Sequence, residues 1–349
     1  MTGPFPAGAV SRFIDLGGPA HYLDMGGPVD GPLIVGLHGL GGSHLNWTAV
    51  GPALLERAHV VALDLVGHGL TPAGTRTADM EGHRRLVSGF LSALGSESGR
   101  RRPVILMGNS MGGLVAALQA AEEPDSVAGL ILMDPALPTS RLGLVHPRVM
   151  ANFLLCAVPG VGETYLTQRR QRTSAEQSVR RVLGVCCVDA SRVPADVVEA
   201  HIELTQRLDR ADADAAYLRS ARSLSLLVAR PAETMERLAR VTQPTLLLHG
   251  ARDVLVPLAS AQRMSASHPE WRFEVAPDIG HVPMLEAPEW TARTVNGWLE
   301  VEGAGAASAS AGAGPGTGSA SAGSASAGSG PGPGAPVQAA VPLPPASVS

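Results

Sequence analysis

Gly108-Asn109-Ser110-Met111-Gly112 follows the apolar run Pro103-Val104-Ile105-Leu106-Met107 and precedes Gly113-Leu114-Val115-Ala116-Ala117-Leu118. A serine therefore stands where a buried strand turns into a helix. So abrupt a reversal strains the backbone of its central residue, and only residues without side chains two positions away on either side avoid collision. Gly108 and Gly112 fill those places. The same bend lifts the hydroxyl of Ser110 clear of the sheet and aims the free N–H groups of the helix's first turn, including that of Met111, at whatever the hydroxyl attacks. A glycine-flanked serine alone is commonly just a turn; the strand-to-helix setting makes Ser110 a candidate nucleophile.

Outward from the bend, strand and helix signals alternate. Residues 10–16 and 20–25 read as short strands joined by Gly17-Gly18-Pro19, and 33–37 as a strand apolar on both faces. The glycine-rich loop His38-Gly39-Leu40-Gly41-Gly42 leads to an expected helix over 47–56. A strand follows at 59–63, a helix at 80–94, a strand at 104–107, a helix at 110–122 and a strand at 127–133. Between 136 and 231 helical periodicity rich in arginine takes over, and the alternation then resumes with a strand at 245–248, a helix at 259–267, a strand at 272–275 and a helix at 288–301. The expected organisation is an α/β core in two parts, residues 1–135 and 232–302, with a helical insertion at 136–231. An insertion into an open sheet lies over the carboxyl ends of the strands, where ligands bind, so it is expected to act as a lid. Within it, Phe153-Leu154-Leu155-Cys156-Ala157-Val158 reads as a helix packed on the core, with an acyl-pocket wall as the alternative. Residues 303–349 are dominated by Ala, Ser, Gly and Pro and are expected to form a flexible, dispensable tail.

A chain of 349 residues can enclose a substantial core. Its formal charge of −4, with acids and bases interspersed, gives no argument for nucleic-acid binding. Arg100-Arg101-Arg102 and Arg169-Arg170-Gln171-Arg172 read as solvated faces, with a grip on a substrate carboxylate as the sharper reading of the second cluster. Cys156, Cys186 and Cys187 have neither metal-ligand spacing nor a disulfide framework. No secretory signal and no bilayer-length apolar run is visible, so a soluble cytoplasmic protein without stable membrane insertion is expected. Oligomeric state is not legible.

A serine hydroxyl needs a base, and the base needs an acid to fix its tautomer and stabilise its positive charge. His281 lies in Asp278-Ile279-Gly280-His281-Val282-Pro283, after the last strand. Asp253 lies in Gly250-Ala251-Arg252-Asp253-Val254-Leu255-Val256-Pro257, after the preceding one. Asp134 also ends a core strand and stands as the alternative acid. His38, Asp64 and His68 read as loop supports, and Trp47 as packing beneath the loop at 38–42.

The bend, the His38-Gly39 loop, Asp64-Leu65-Val66-Gly67-His68-Gly69, Gly250-Ala251-Arg252-Asp253 and Gly280-His281 together resemble the α/β-hydrolase superfamily over residues 10–302. The resemblance implies a mostly parallel eight-stranded sheet with helices on both faces and a helical lid. It also implies an oxyanion hole made by the backbone N–H groups of Leu40 and Met111. The implied activity is that of a serine hydrolase, esterase-like, with no cofactor and no metal, whose partner is a small apolar acyl substrate. Haloalkane dehalogenases and epoxide hydrolases of the superfamily carry aspartate at the bend, against which Ser110 argues. Gly-Asn-Ser-Met-Gly-Gly is also similar to the bend of carbon–carbon bond hydrolases of ring-cleavage products, which commonly have tryptophan after the catalytic histidine where this chain has Val282. Acyl transfer, cofactor-free perhydrolysis and a non-enzymatic ligand receptor are the further alternatives.

Overall fold

The apolar segments around Ser110 form the middle of an eight-stranded sheet in the computed structural model, which describes residues 5–98, 102–138 and 147–311. The strands are β1 (Val10–Asp15), β2 (Pro19–Gly26), β3 (Leu33–Leu37), β4 (His59–Leu63), β5 (Val104–Asn109), β6 (Gly129–Met133), β7 (Thr245–Gly250) and β8 (Arg272–Ala276). They lie in the order β1-β2-β4-β3-β5-β6-β7-β8. The β1–β2 and β2–β4 pairs are antiparallel; every other pair is parallel. β3, β6 and β7 are buried at every position, the signature of strands covered on both faces. On one face Val35, Leu106 and Leu132 pack with Phe90 and Leu114; on the other Ile34, Met107 and Ile131 pack with Trp47 and Trp298.

Helices α1 (Met80–Ser98) and α2 (Met111–Glu122) cover the first of these faces. Helix α2 is buried along nearly its whole length, and its run of glycine and alanine lets it lie close to the sheet. Between β6 and β7 come α3 (Pro147–Ala157), α4 (Val161–Arg172), α5 (Ala175–Cys186), α6 (Ala195–Arg207), α7 (Arg210–Val228) and α8 (Pro231–Leu238). After β7, α9 (Leu258–Ser267) precedes β8, and α10 (Pro283–Glu286) and α11 (Pro288–Ala311) close the described chain. The inserted helices touch the loops at the carboxyl ends of three strands. Tyr217 of α7 packs on Gly41 after β3, and Ala216 leaves no room for a side chain on Gly67 after β4. The Cys186 carbonyl accepts the N–H of His281 after β8 at 2.6 Å.

Three local expectations are corrected. Residues 47–56 form no α-helix but two tight turns, His44–Trp47 and Gly51–Leu54. Pro52 has no N–H to give to a carbonyl four residues back, so no α-helix runs through it, and it stands instead in the first positions of the second turn. The closing helix continues past residue 301 to Ala311, because the Ala-rich sequence that begins the tail has high intrinsic helix propensity. The remaining expected tail, 312–349, lies outside the described residues, as do Arg100 and Arg101. In α3, Cys156 is buried with Leu166 and Leu218 of the neighbouring inserted helices, while Leu154, Leu155 and, just after the helix, Val158 are exposed, so that face of the run does not pack on the core. Among the described residues, no single helix is long and apolar enough to cross a membrane.

Buried histidines gather behind the loops after β3 and β4. The rings of His38 and His68 lie 5.4 Å apart and those of His68 and His83 5.6 Å apart. Burial pushes His38 down to about 3, helped by the neighbouring charge of His68, and lowers His68 and His83 as well. The unfolded chain protonates these groups near pH ~6.5 while the fold keeps them neutral, so unfolding takes up protons. Their effect on stability therefore appears only as pH falls below the unfolded value, where each histidine kept neutral costs about 1.4 kcal/mol per pH unit. The unfolding free energy is expected to decline steeply from about pH 6 to about pH 4.5, and His38→Gln to reduce that slope by roughly one proton; an unchanged slope in chemical-denaturation titrations would contradict the assignment.

Candidate active site

Ser110 sits between β5 and α2 with φ 53° and ψ −117°, a conformation that L-residues rarely adopt. Such strain costs on the order of 1–3 kcal/mol, and the surrounding backbone holds it in place. The Ser110 N–H donates to Met133 O at 3.0 Å, while Ser110 O accepts from Leu114 at 3.1 Å and Ala136 at 2.9 Å. A Cβ on Gly108 would lie 2.6 Å from Gly113 Cα, and one on Gly112 would lie 2.5 Å from the His38 carbonyl oxygen. Both glycines are thus required where the sequence placed them. Ser110 itself is partly exposed, whereas Asn109 and Met111 on either side are buried.

The loop after β3 closes against this bend. Gly42 N–H donates to Gly39 O at 3.0 Å, with Gly41 at φ 74° in the third position of the turn, a geometry that favours glycine. Leu40 occupies the second position, whose N–H the turn does not use. A Cβ on Gly39 would lie 3.2 Å from Ser110 Cβ, so the turn presses directly on the bend. Met111 opens α2 and carries one of its N–H groups without an intrahelical acceptor. His38 supports the turn as expected: Nδ1 donates to Gly39 O at 2.8 Å, and Nε2 accepts the Leu65 N–H at 3.0 Å. Trp47 is fully buried against Gly36.

The other two sequence-derived residues meet directly. His281 Nδ1 lies 2.7 Å from Asp253 Oδ2, with both side chains buried. Asp253 Oδ1 accepts the N–H groups of Leu255 at 2.7 Å and Val256 at 3.1 Å. Burial pushes this carboxyl up, but the facing imidazole of His281 and these donors outweigh it and hold it below its ordinary value. Sequence reasoning missed Asn109 as a functional residue. Its Nδ2 donates to His281 O at 2.9 Å and to Met133 O at 3.1 Å, which ties the histidine's loop to the residue preceding Ser110. The signal available was a polar residue ending an otherwise apolar buried strand, where an amide must find partners.

Asp134 does not reach the imidazole. It is fully buried with φ 45°, accepts the Gly250 N–H at 2.8 Å through Oδ1, and leaves Oδ2 without a partner. Burial, reinforced by the charge of Asp253, pushes its pKa well above the ordinary carboxylate range. Of the two acids, Asp253 is the one brought to His281.

A second chain of the same residue types lies at the edge of the sheet. Ser11 Oγ is 2.7 Å from His21 Nε2, and His21 Nδ1 is 2.7 Å from Asp64 Oδ2. Ser11 is buried within the extended strand β1 and paired with β2, so its backbone lacks the strand-to-helix bend that frees the Met111 N–H beside Ser110. His21, His44 and Asp64 bring three ligand-type atoms within 4.8 Å. Yet Asp64 already accepts hydrogen bonds from both imidazoles, from His44 N–H at 2.6 Å and from Leu70 N–H at 2.8 Å. The carboxylate is fully engaged in joining the loops.

The family model for the alpha/beta hydrolase fold matches residues 32–288. The chain is 23% identical over 282 residues to monoacylglycerol lipase abhd6-B of Xenopus laevis, covering 80% of this chain and 78% of that protein. It is 28% identical over 294 residues to the dihydrolipoyllysine-residue acetyltransferase component of the acetoin cleaving system of Pseudomonas putida, covering 82% and 67%. Among solved structures, a membrane phospholipase A described as a bacterial virulence factor shares 30% identity at a TM-score of 0.63, covering 84% of this chain and 86% of that one.

The two aspartates should separate on substitution. Asp134→Asn preserves the acceptor oxygen for the Gly250 N–H and is expected to leave the reaction of Ser110 with an organophosphonate probe within about threefold. Asp253→Asn sets an amide against the imidazole N–H and is expected to slow it by on the order of 10³-fold or more. Equal losses in probe-labelling kinetics would contradict the pairing.

Proposed function

The chain belongs to the alpha/beta hydrolase fold family, and on that premise we propose that it is a serine hydrolase that cleaves a carboxylic ester or related acyl compound through an acyl-enzyme. One observation carries the reading: the 2.7 Å pair of His281 and Asp253 is anchored through Asn109 to the strained bend that presents Ser110. His281 takes the Ser110 proton as Oγ attacks the carbonyl carbon. Asp253 holds Nδ1 protonated and stabilises the imidazolium. Negative charge then develops on the carbonyl oxygen, where the N–H groups of Leu40 and Met111 would receive it; one such donor is typically worth about 3–4 kcal/mol. His281 returns its proton to the departing alcohol, and water activated by the same imidazole releases the acid.

The relatives named as a monoacylglycerol lipase and a phospholipase A support an apolar acyl chain in the substrate. The helices between β6 and β7, which touch the loops carrying Leu40 and His281, take the role of a lid in this reading, in keeping with residues 136–231 as an insertion in the core. The expected location of the enzyme is the cytoplasm.

A fluorophosphonate probe is expected to label the native protein and Ser11→Ala, but not Ser110→Ala. Nitrophenyl esters of graded acyl length are expected to be hydrolysed with the same dependence on Ser110. Labelling that survives Ser110→Ala would overturn the assignment, and turnover of a dienoate ring-cleavage product in preference to every ester would move the reaction to carbon–carbon bond cleavage.

A further inference from the structure

We propose that Glu286 is a positioning residue that fastens the histidine loop to the helical insertion, so that His281 is held in line only while the insertion is seated. The inference rests on the proposed role of His281. Glu286 ends α10, five residues after His281, and its side chain is fully buried. Its two carboxylate oxygens accept from two different parts of the chain. Oε2 takes the N–H of Gly280, immediately before His281, at 2.8 Å, and Oε1 takes the N–H of Asp189, in the connection from α5 to α6, at 2.8 Å.

Further contacts lie along the same seam. His281 N–H donates to Cys186 O at 2.6 Å, at the end of α5. Gly280 packs so closely on the Cys186 carbonyl that a side chain there would collide with it. On the outside, Arg192 donates to Asp278 O at 2.8 Å and to Asp278 Oδ2 at 2.6 Å, while Arg252 donates to Asp278 Oδ1 at 2.8 Å. Arg192 Nη1 also lies 3.7 Å from Glu286 Oε1. Residues 186–192 and 278–281 are thus bonded through the N–H groups of two successive peptides: Gly280 N–H through Glu286, and His281 N–H directly. Displacing the insertion along this seam breaks the direct bond and removes one donor from a buried carboxylate, so the loop shifts with it. A shift of about 1 Å in a reacting group is enough to cost on the order of 10²-fold in rate.

The test is Glu286→Gln, which keeps the shape but offers one acceptor oxygen where two N–H groups point. Ester turnover is expected to lose about tenfold to a hundredfold in kcat, with KM held within about twofold. Hydrogen–deuterium exchange is expected to quicken together in the peptides carrying Asp189 and Gly280-His281, with exchange in β3, β5 and β6 unchanged. Arg192→Met, which removes the bonds to Asp278 and the charge facing Glu286 but leaves both carboxylate–N–H bonds of Glu286 in place, is expected to show the same pattern at about threefold in kcat, and stands in for Glu286→Gln if that variant fails to fold. Wild-type kcat with unchanged exchange would overturn the proposal, as would a loss of activity accompanied by faster exchange throughout the core. The exchange measurement needs no catalysis, so it judges the coupling even if Ser110→Ala shows the hydrolase reading to be wrong.

Discussion

The left-handed backbone of Ser110 is the constraint to which the rest of the molecule is fitted. At φ 53° the residue would relax if it were free, and it is held because its own N–H and C=O are bonded to Met133, Leu114 and Ala136. Two of those partners lie on or just after β6, so the strain is shared by the parallel core. The neighbouring chain is cleared away by Gly108 and Gly112 and closes tightly around the bend. A partly exposed serine therefore stands at the end of a sheet whose central strands are otherwise sealed.

From that point the site is assembled by backbone bonds to polar side chains, each bridging two loops. Asn109 links the bend to the His281 carbonyl, Asp253 links the imidazole to the turn after β7, and Glu286 links the Gly280 N–H to the inserted helices. Asp64 performs the same service on the far side of the sheet, joining β2, the loop after β3 and the loop after β4 through His21, His44 and Leu70. Buried polar groups of this kind are costly to leave unpartnered, which makes the loop arrangement specific. The price of that specificity shows in Asp134, whose second oxygen has no partner and whose pKa is driven up by burial and by the charge of Asp253.

Much of this was legible in the chain because the signals are local. Strong apolar runs bounded by glycine marked the central strands, and the spacing of Gly108, Ser110 and Gly112 announced the bend. The order of Asp253 and His281 after the last two strands placed them near it. What was not legible depends on partners distant in sequence. Nothing near Glu286 or Asn109 says that one will meet the N–H of Asp189 and the other the carbonyl of His281. Ser11, His21 and Asp64 show the converse: they reproduce the hydrogen-bond order of a reactive trio, yet Ser11 lies in a paired extended strand and not at a bend. Length estimates failed where composition and geometry competed, as at Gly51-Pro52 and in the alanine-rich start of the tail.

The central claim is that an acyl group passes through the oxygen of Ser110. Rapid quenching during turnover of a nitrophenyl ester, followed by peptide mass spectrometry, tests it directly. The expected result is a transient mass increase equal to the acyl group on the peptide containing Ser110, formed in step with the first burst of nitrophenolate and absent in His281→Ala. Steady hydrolysis with no acylated peptide, or acylation of the peptide containing Ser11, would contradict it.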